Sequence, residues 1–296
     1  MRICVIFNPA ARGERARRFR RQIDRLGSDC ILEPTWAPGA GRLLAAQAVR
    51  DSFDTIVAAG GDGTMNEVLN GIGDVQDGFA RVRLGVLPLG TVNVFAKEYV
   101  LPTRFLDAWD IIKSGKERLI DLPEVEFGPA EKRQYRFFAQ MAGAGFDARA
   151  VELVDWELKR KIGYFAYVAA VCRAFRSQPS QITLTHGKET VTGELVLIGN
   201  GRFYAGRFVA FPLAKADDGL LDVCVFSRAD WLTSIRCLPR LLLRKIHRQP
   251  GIQYSQSDAL SLGGTGPVPL QLDGELAGQL PATFSIRKQA LRLIVP

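Results

Sequence analysis

No CxxC pair, no histidine cluster and no membrane-length apolar run occurs in this chain, and each absence removes a class of function. The five cysteines, Cys4, Cys30, Cys172, Cys224 and Cys237, are scattered and odd in number. Neither a disulfide framework nor a zinc site is indicated, and a reducing cytoplasmic compartment fits. His186 and His247 have no ligand spacing to each other or to the cysteines, and no nucleophilic triad presents itself. The longest apolar stretch, Ile162 to Cys172, falls short of the roughly 18–20 residues that span a bilayer. The apolar start MRICVIFNP is too short for a signal peptide, so any membrane contact is expected from the side. Internal repeats, low-complexity linkers, a GxxxxGK[ST] loop and a dinucleotide GxGxxG are missing as well.

What remains is a basic globular chain of 296 residues with 47% hydrophobic content and a formal net charge of +8. That length allows one large domain or two ordinary ones, and the charge favours anionic partners such as nucleotides, nucleic acid or acidic lipid surfaces. Nucleic acid ranks last, because no stacking-aromatic or recognition-helix signature accompanies the charge.

From Arg2 to about Asp121, β-branched runs alternate with helical patterns: ICVIF, a helix over 13–26, CILEP, a helix over 42–52, TIVAA, a helix from Asn66, then LGVLP. This order predicts a parallel sheet covered by helices, with ligands beyond the carboxyl ends of its strands. After Asp121 the pieces VEF, YRFFAQMAGAGF, QITLTH, ETVTGELVLIGN and LDVCVF, each bounded by turn residues, read as antiparallel β. One helix over 148–177 and a basic helical segment over 231–248 interrupt it. The expected division is residues 1–121 and 122–296, with a cleft between the two domains.

The segment TIVAAGGDGTMNEVLNG, Thr55 to Gly71, carries the strongest chemical signal. An apolar strand enters a turn made of Gly60, Gly61, Asp62 and Gly63, and a helix starts beyond it. Glycines let a ligand approach the main chain closely, and helix-start N–H groups around Thr64 to Asn66 would face an anion with the dipole behind them. A carboxylate in such a cradle repels a phosphate unless a divalent cation stands between them, so Asp62 points to a nucleotide with Mg²⁺.

Other loops are less specific. Asn8 and Pro9 leave the first strand, and Gly13 beyond them opens a basic helix that suits an anion, although Arg12, Arg15, Arg17 and Arg18 read more readily as a solvated face. VLPLGTVNVFAKE places Gly90, Thr91 and Asn93 after another strand. FPLAKADDGLLD puts Asp218 in a DG turn able to hold a hard cation through oxygen ligands, although spacing alone reads as a plain turn. LDGE at Leu272 to Glu275 offers two carboxylates, one for metal and one to accept a proton in phosphoryl transfer, or simply a hairpin turn. The segments Trp156 to Phe175 and RLLLRKIHR from Arg240 mix basic and apolar residues, suiting either buried faces with solvated edges or docking on an anionic bilayer.

In order and spacing these segments resemble the diacylglycerol kinase catalytic family, in its bacterial soluble lipid-kinase branch, related to the sphingosine and ceramide kinases. The matching stretches are Asn8-Pro9, Thr35 in PTWAPG, GGDGTMNEVLNG, PLGTVN at Pro88 to Asn93, GAGFDA at Gly143 to Ala148, KIGYFAY at Lys161 to Tyr167, PLAKADDGLLD at Pro212 to Asp222, and LDGE. They span nearly the whole chain. Two positions depart from the family pattern: Arg12 stands where a small residue is common, and Val94 where an acidic or polar one often follows GTxN.

The resemblance implies a nucleotide-binding α/β domain like those of NAD kinases and phosphofructokinases, followed by an antiparallel β-sandwich domain. It implies ATP against Asn8, Thr35, Gly60, Gly61, Asp62, Gly63, Thr64, Met65, Asn66 and Thr91. It further implies Glu275 as general base beside Asp273, Asp62 acting through a catalytic Mg²⁺, and a structural Mg²⁺ held by the carbonyls of Lys215 and Leu220 with the Asp218 side chain. The expected activity is transfer of the γ-phosphoryl group of ATP to a lipid hydroxyl, diacylglycerol-like, in phospholipid metabolism. An NAD kinase and a catalytically silent lipid- or nucleotide-binding protein are the rivals. The expected setting is cytoplasmic, peripheral to the inner membrane face, with a homodimer allowed for.

Overall fold

The computed structural model describes residues 1–11, 14–23, 26, 30–155, 165–206 and 208–296. The chain divides into two compact units. The first comprises Met1–Leu122, Phe137–Ala139 and Arg287–Pro296, and the second Pro123–Arg136 and Gln140–Ile286. A single cut at 121/122 leaves the last ten residues out of the unit they belong to. They return because the strand Ala282–Ile294 ends with Leu293 paired in parallel to Leu84.

Four parallel strands, β1 (Ile3–Phe7), β2 (Cys30–Pro34), β3 (Thr55–Gly60) and β4 (Arg83–Pro88), lie in the order β2-β1-β3-β4. All six residues of β3 are buried, as an unbroken apolar run requires when helices cover both sheet faces. Helices α1 (Glu14–Gln22), α2 (Ala40–Arg50), α3 (Asp62–Gly73), α4 (Gly78–Arg81), α5 (Val94–Glu98) and α6 (Phe105–Ser114) also belong to this unit. On one face Ile3, Val5, Val57, Ala59 and Leu87 pack with Phe19 of α1 and with Phe105, Trp109 and Ile112 of α6. The Phe19 ring meets that of Phe105 edge-on at 5.4 Å. Helices α2 and α3 pack on each other and on the sheet strands β1 and β3. Gly71 makes their close approach feasible, since a Cβ there would lie 2.2 Å from the Arg42 carbonyl oxygen.

Helix α3 begins at Asp62, earlier than the start at Asn66 expected from sequence. Glycines disfavour helix, but Met65, Val68, Leu69 and Ile72 are buried at helical spacing, and their burial draws Asp62 and Gly63 into the first turn.

In the second unit one antiparallel sheet runs in the order Ile252–Ser257, Leu221–Phe226, Leu195–Gly199, Met141–Gly145, Pro269–Leu272, Glu275–Gln279. The strands Glu189–Gly193, Ile182–His186 and Ala259–Gly264 and the residues Ala282–Ser285 also pair in turn, again antiparallel. Of the expected helix over 148–177, the described residues form Phe146–Glu152, capped by Leu153, and Phe165–Ala174, while residues 156–164 lie outside the described residues. Most of Lys161–Tyr167, and Arg12 and Gly13, lie outside the described residues. The basic segment expected over 231–248 is a helix Trp231–Leu242 followed, past a left-handed Arg244 (φ 58°), by a short 3₁₀ turn Ile246–Arg248. Among the described residues no helix is long and apolar enough to cross a membrane.

Candidate active site

Four loops leave the carboxyl ends of β1 to β4, and the sequence-expected nucleotide residues sit on them. In the first, the Asn8 side-chain oxygen accepts the Ala10 N–H at 2.8 Å, folding the loop back on itself. In the second, the Thr35 N–H donates to the Phe7 carbonyl at 2.8 Å, which fixes the exit from β2 beside that from β1. The third carries Gly60, Gly61, Asp62, Gly63 and Thr64, and the fourth carries Gly90, Thr91 and Asn93.

The third and fourth loops touch through their main chains. The Gly60 carbonyl accepts the N–H groups of Leu89 (2.9 Å) and Gly90 (3.1 Å). The N-cap of α3 is Gly61, in extended conformation (φ −94°, ψ −171°). It has no side-chain acceptor to occupy the first-turn N–H groups, which a helix start otherwise leaves for a cap or a ligand. The Met65 N–H already donates to the Gly61 carbonyl at 3.1 Å. Helix-start donors are therefore centred on Asp62 to Thr64, upstream of the expected Thr64 to Asn66. Met65 and Asn66 are buried in the helix body, Asn66 accepting from Asn70 at 3.1 Å.

Asp62 has a second task, because its Oδ1 accepts the Phe95 N–H at 3.3 Å in the first turn of α5. The buried Asn93 adopts a left-handed conformation (φ 51°) and donates from Nδ2 to the carbonyls of Pro88 (3.2 Å) and Gly90 (2.7 Å). Its Oδ1 is buried without a hydrogen-bond partner. Arg15 is no mere solvated residue, since its Nη1 donates to the Gly90 carbonyl at 3.0 Å. Arg17 and Arg18 do pair in solvent with Glu14.

In the second unit, LDGE is a two-residue hairpin in which Leu272 pairs with Glu275. Asp273 (φ 49°) and Gly274 (φ 85°) are both left-handed, as a type I′ turn demands. The Asp273 Oδ1 accepts N–H groups from Gln140 (2.8 Å) and Met141 (3.1 Å), and its own N–H donates to the Met141 carbonyl (2.8 Å). Asp273 thus anchors the turn, and Glu275 is exposed at its end.

Behind the turn lies a buried chain that sequence reasoning missed. The Gly274 N–H donates to Gln271 Oε1 at 2.7 Å, and Gln271 Nε2 donates to Asp147 Oδ2 at 2.8 Å. The Tyr204 hydroxyl donates to Asp147 Oδ1 at 2.5 Å. Burial raises the Asp147 carboxyl above the usual range, and the two hydrogen bonds pull the other way. Gly143 leaves the space for this carboxylate, because a Cβ there would stand 2.1 Å from Oδ2. A glutamine between two apolar strand residues was the available signal.

Asp218 lies in an exposed turn, its Oδ1 accepting the Leu220 N–H at 3.1 Å. Next to it the Asp222 carboxyl is pushed up to about 6, by burial first and also by the charge of Asp218, against bonds from Tyr254 and Gln256. Its Oδ2 is buried without a partner. Among the described residues no group of three or more His, Cys, Asp or Glu could hold a metal ion, so a cation here needs backbone carbonyls.

Comparison with known proteins agrees with this layout. The family model of the diacylglycerol kinase catalytic domain matches residues 2–125, and that of the YegS C-terminal NAD kinase beta sandwich-like domain matches residues 140–295. A diacylglycerol kinase of Staphylococcus saprophyticus is 29% identical over 303 residues, covering 99% of this chain and 94% of the relative. Among solved structures, a diacylglycerol kinase from Bacillus anthracis is 16% identical with a TM-score of 0.70, covering 100% of this chain and 97% of that one. A yeast NADH kinase complexed with NADH is 10% identical with a TM-score of 0.59, covering 100% and 84%, which shows a shared fold alone. The chain belongs to the diacylglycerol kinase family.

Proposed function

We propose that this chain transfers the γ-phosphoryl group of ATP to the hydroxyl of a diacylglycerol-like lipid at the cytoplasmic face of a membrane, which it meets peripherally. The observation that carries the reading is the glycine-capped start of α3, where Asp62, Gly63 and Thr64 open a helix directly after a buried parallel strand. Amides at that position bind phosphate oxygens with the helix dipole in support. Asn8, Thr35 and Thr91 belong to the neighbouring loops and complete the nucleotide contacts.

The hydroxyl oxygen of the acceptor attacks the γ-phosphorus, the bond from that phosphorus to the β–γ bridging oxygen breaks, and ADP leaves. Glu275 takes the hydroxyl proton. The Asp273 Oδ1 holds two N–H groups, so its part is to fix the turn that presents Glu275. In a loose phosphoryl-transfer transition state, positioning and charge neutralisation supply most of the rate.

Mg²⁺ bound with ATP would supply charge neutralisation at the phosphates, with Asp62 as the carboxylate toward it. A structural Mg²⁺ at the Asp218 turn would take that carboxylate with the main-chain carbonyls of Lys215 and Leu220 as oxygen ligands, and the Oδ2 of Asp222, whose carboxyl feels the Asp218 charge, is buried without a hydrogen-bond partner.

The test is transfer of labelled γ-phosphate from ATP to diacylglycerol, phosphatidylglycerol, ceramide or sphingosine in mixed micelles, with NAD in parallel. Label in a lipid, lost in Glu275→Ala while ATP still binds, is the expected result. Label in NAD alone would make the chain an NAD kinase, and lost ATP affinity with normal turnover in Glu275→Ala would overturn the assignment of the base.

A further inference from the structure

The helix Trp231–Leu242 wears its apolar side outward. Trp231, Ile235, Leu238 and Leu242 are 62%, 58%, 50% and 63% exposed, and their spacing of four, three and four places them along one stripe of a helix. Leu232 and Leu243 widen it. The opposite side is the packed one: Cys237 is buried and Leu241 half-buried against a cluster that includes Met141, Leu197 and Phe211. Soluble faces rarely expose so continuous an apolar strip without an occupant.

The charges around the stripe identify that occupant. Between Trp231 and Pro250 the chain carries Arg236, Arg240, Arg244, Lys245 and Arg248 and no Asp or Glu. Arg236, Arg244, Lys245 and Arg248 are exposed, while Arg240 is engaged with Gln249. The preceding acid, Asp230, is spent as the helix cap, its Oδ1 accepting the Thr233 N–H at 2.6 Å. A second copy of this face would bring one all-basic segment against another within a Debye length of roughly 8 Å. An apolar strip whose own segment adds cations and no acid is complementary instead to a surface that is apolar within and anionic at its rim.

We propose that Trp231–Leu242 lies in the interface of an anionic bilayer, its stripe among the upper acyl chains and Arg236, Arg244, Lys245 and Arg248 at the headgroup phosphates. This deepens the lipid-kinase reading, on which its purpose rests, since a chain-bearing acceptor resides in such a surface. Its test does not use turnover.

The full chain is floated with vesicles of phosphatidylcholine alone or mixed with phosphatidylglycerol, at 0.15 M salt (Debye length about 8 Å). The wild type should float with the anionic vesicles only. Arg236→Glu with Arg244→Glu should weaken partitioning about 25-fold or more, at roughly fivefold per basic side chain. Ile235→Ser with Leu238→Ser should weaken it about tenfold or more. All four positions are exposed, and circular dichroism with melting curves checks that the variants fold. Brominated lipid should quench fluorescence in the wild type, by an amount that falls in Trp231→Phe.

Wild type that stays with the soluble fraction, or variants that float as well as it does, would overturn the assignment. So would a wild-type dimer dispersed by Ile235→Ser with Leu238→Ser, which would make a second copy the occupant. Micellar phosphoryl transfer run alongside separates the two readings. Flotation lost in the variants with no lipid kinase activity in any protein upholds docking and removes the kinase reading, and the reverse pattern does the opposite.

Discussion

Gly61 and Gly90 face each other across the third and fourth loops, yet they should respond differently to the same methyl group. A Cβ on Gly90 would stand 2.5 Å from the Gly61 Cα and 2.6 Å from Asn93 Oδ1. Carbon atoms at van der Waals contact are roughly 3.5 Å apart, so Gly90→Ala must open the two loops by about 1 Å. Asn93 cannot turn aside, because it is buried and its amide holds the carbonyls of Pro88 and Gly90. Overpacking of this kind costs about 1–3 kcal/mol, or about 2–12 °C in Tm for a domain of this size. A Cβ on Gly61 meets nothing nearer than the Gly90 Cα at 3.5 Å, and its extended conformation suits alanine. Gly61→Ala should therefore keep its stability within about 0.5 kcal/mol while placing a methyl on the turn proposed to receive phosphate oxygens. Urea denaturation and ATP titration calorimetry separate the two effects: lost stability for Gly90→Ala, and ATP affinity reduced about tenfold or more (~1.4 kcal/mol) in a stable Gly61→Ala. Equal destabilisation of both variants, or unchanged ATP binding in Gly61→Ala, would refute the division between a packing glycine and a ligand glycine.

Glu67 accepts the Gly39 and Gly41 N–H groups, both at 2.8 Å, at the start of α2. Glu67→Ala should cost about 1–2 kcal/mol in urea denaturation, and Glu67→Gln should recover part of it; equal losses would argue against capping. The Asp147 carboxyl is raised by burial, so the folded state holds that proton more tightly than the unfolded one. Below pH ~4 wild type and Asp147→Asn should keep a constant stability difference. As pH rises further the wild type should lose ground, and parallel urea midpoints from pH 4 to 8 would contradict this. Asp218→Ala should lower Tm in Mg²⁺ to the value the wild type shows in chelator, and a wild-type Tm indifferent to chelator would remove the structural ion.

The parallel sheet was legible because β1, β3 and β4 are unbroken apolar runs ended by glycine or proline turns, and physics leaves such runs few alternatives to burial between helices. LDGE was legible as a hairpin, and Asp-Gly did form its two left-handed residues. What escaped reading depends on partners distant in sequence. Arg15 reaches the Gly90 carbonyl across 75 residues, and Gln271 reaches Asp147 across 124; no local propensity encodes either. The early start of α3 was hidden by glycines whose low helix propensity is overridden by burial of Met65 and Val68. The outward stripe on Trp231–Leu242 has the period of a core helix, and only the structure tells which side faces inward.

The return of Arg287–Pro296 to the first unit means that this unit is finished only after the second has been made. Its β4 acquires its Leu293 partner only when residues 287–296 leave the ribosome, after the whole second unit has been made. At about 5–20 residues per second the first unit waits, with that flank of β4 lacking the pairing, for roughly ten to thirty seconds. A fragment cut after the first 122 residues would carry every glycine loop and still expose a sheet edge open to association. For this chain, the integrity of the first unit depends on a segment that follows the whole of the second.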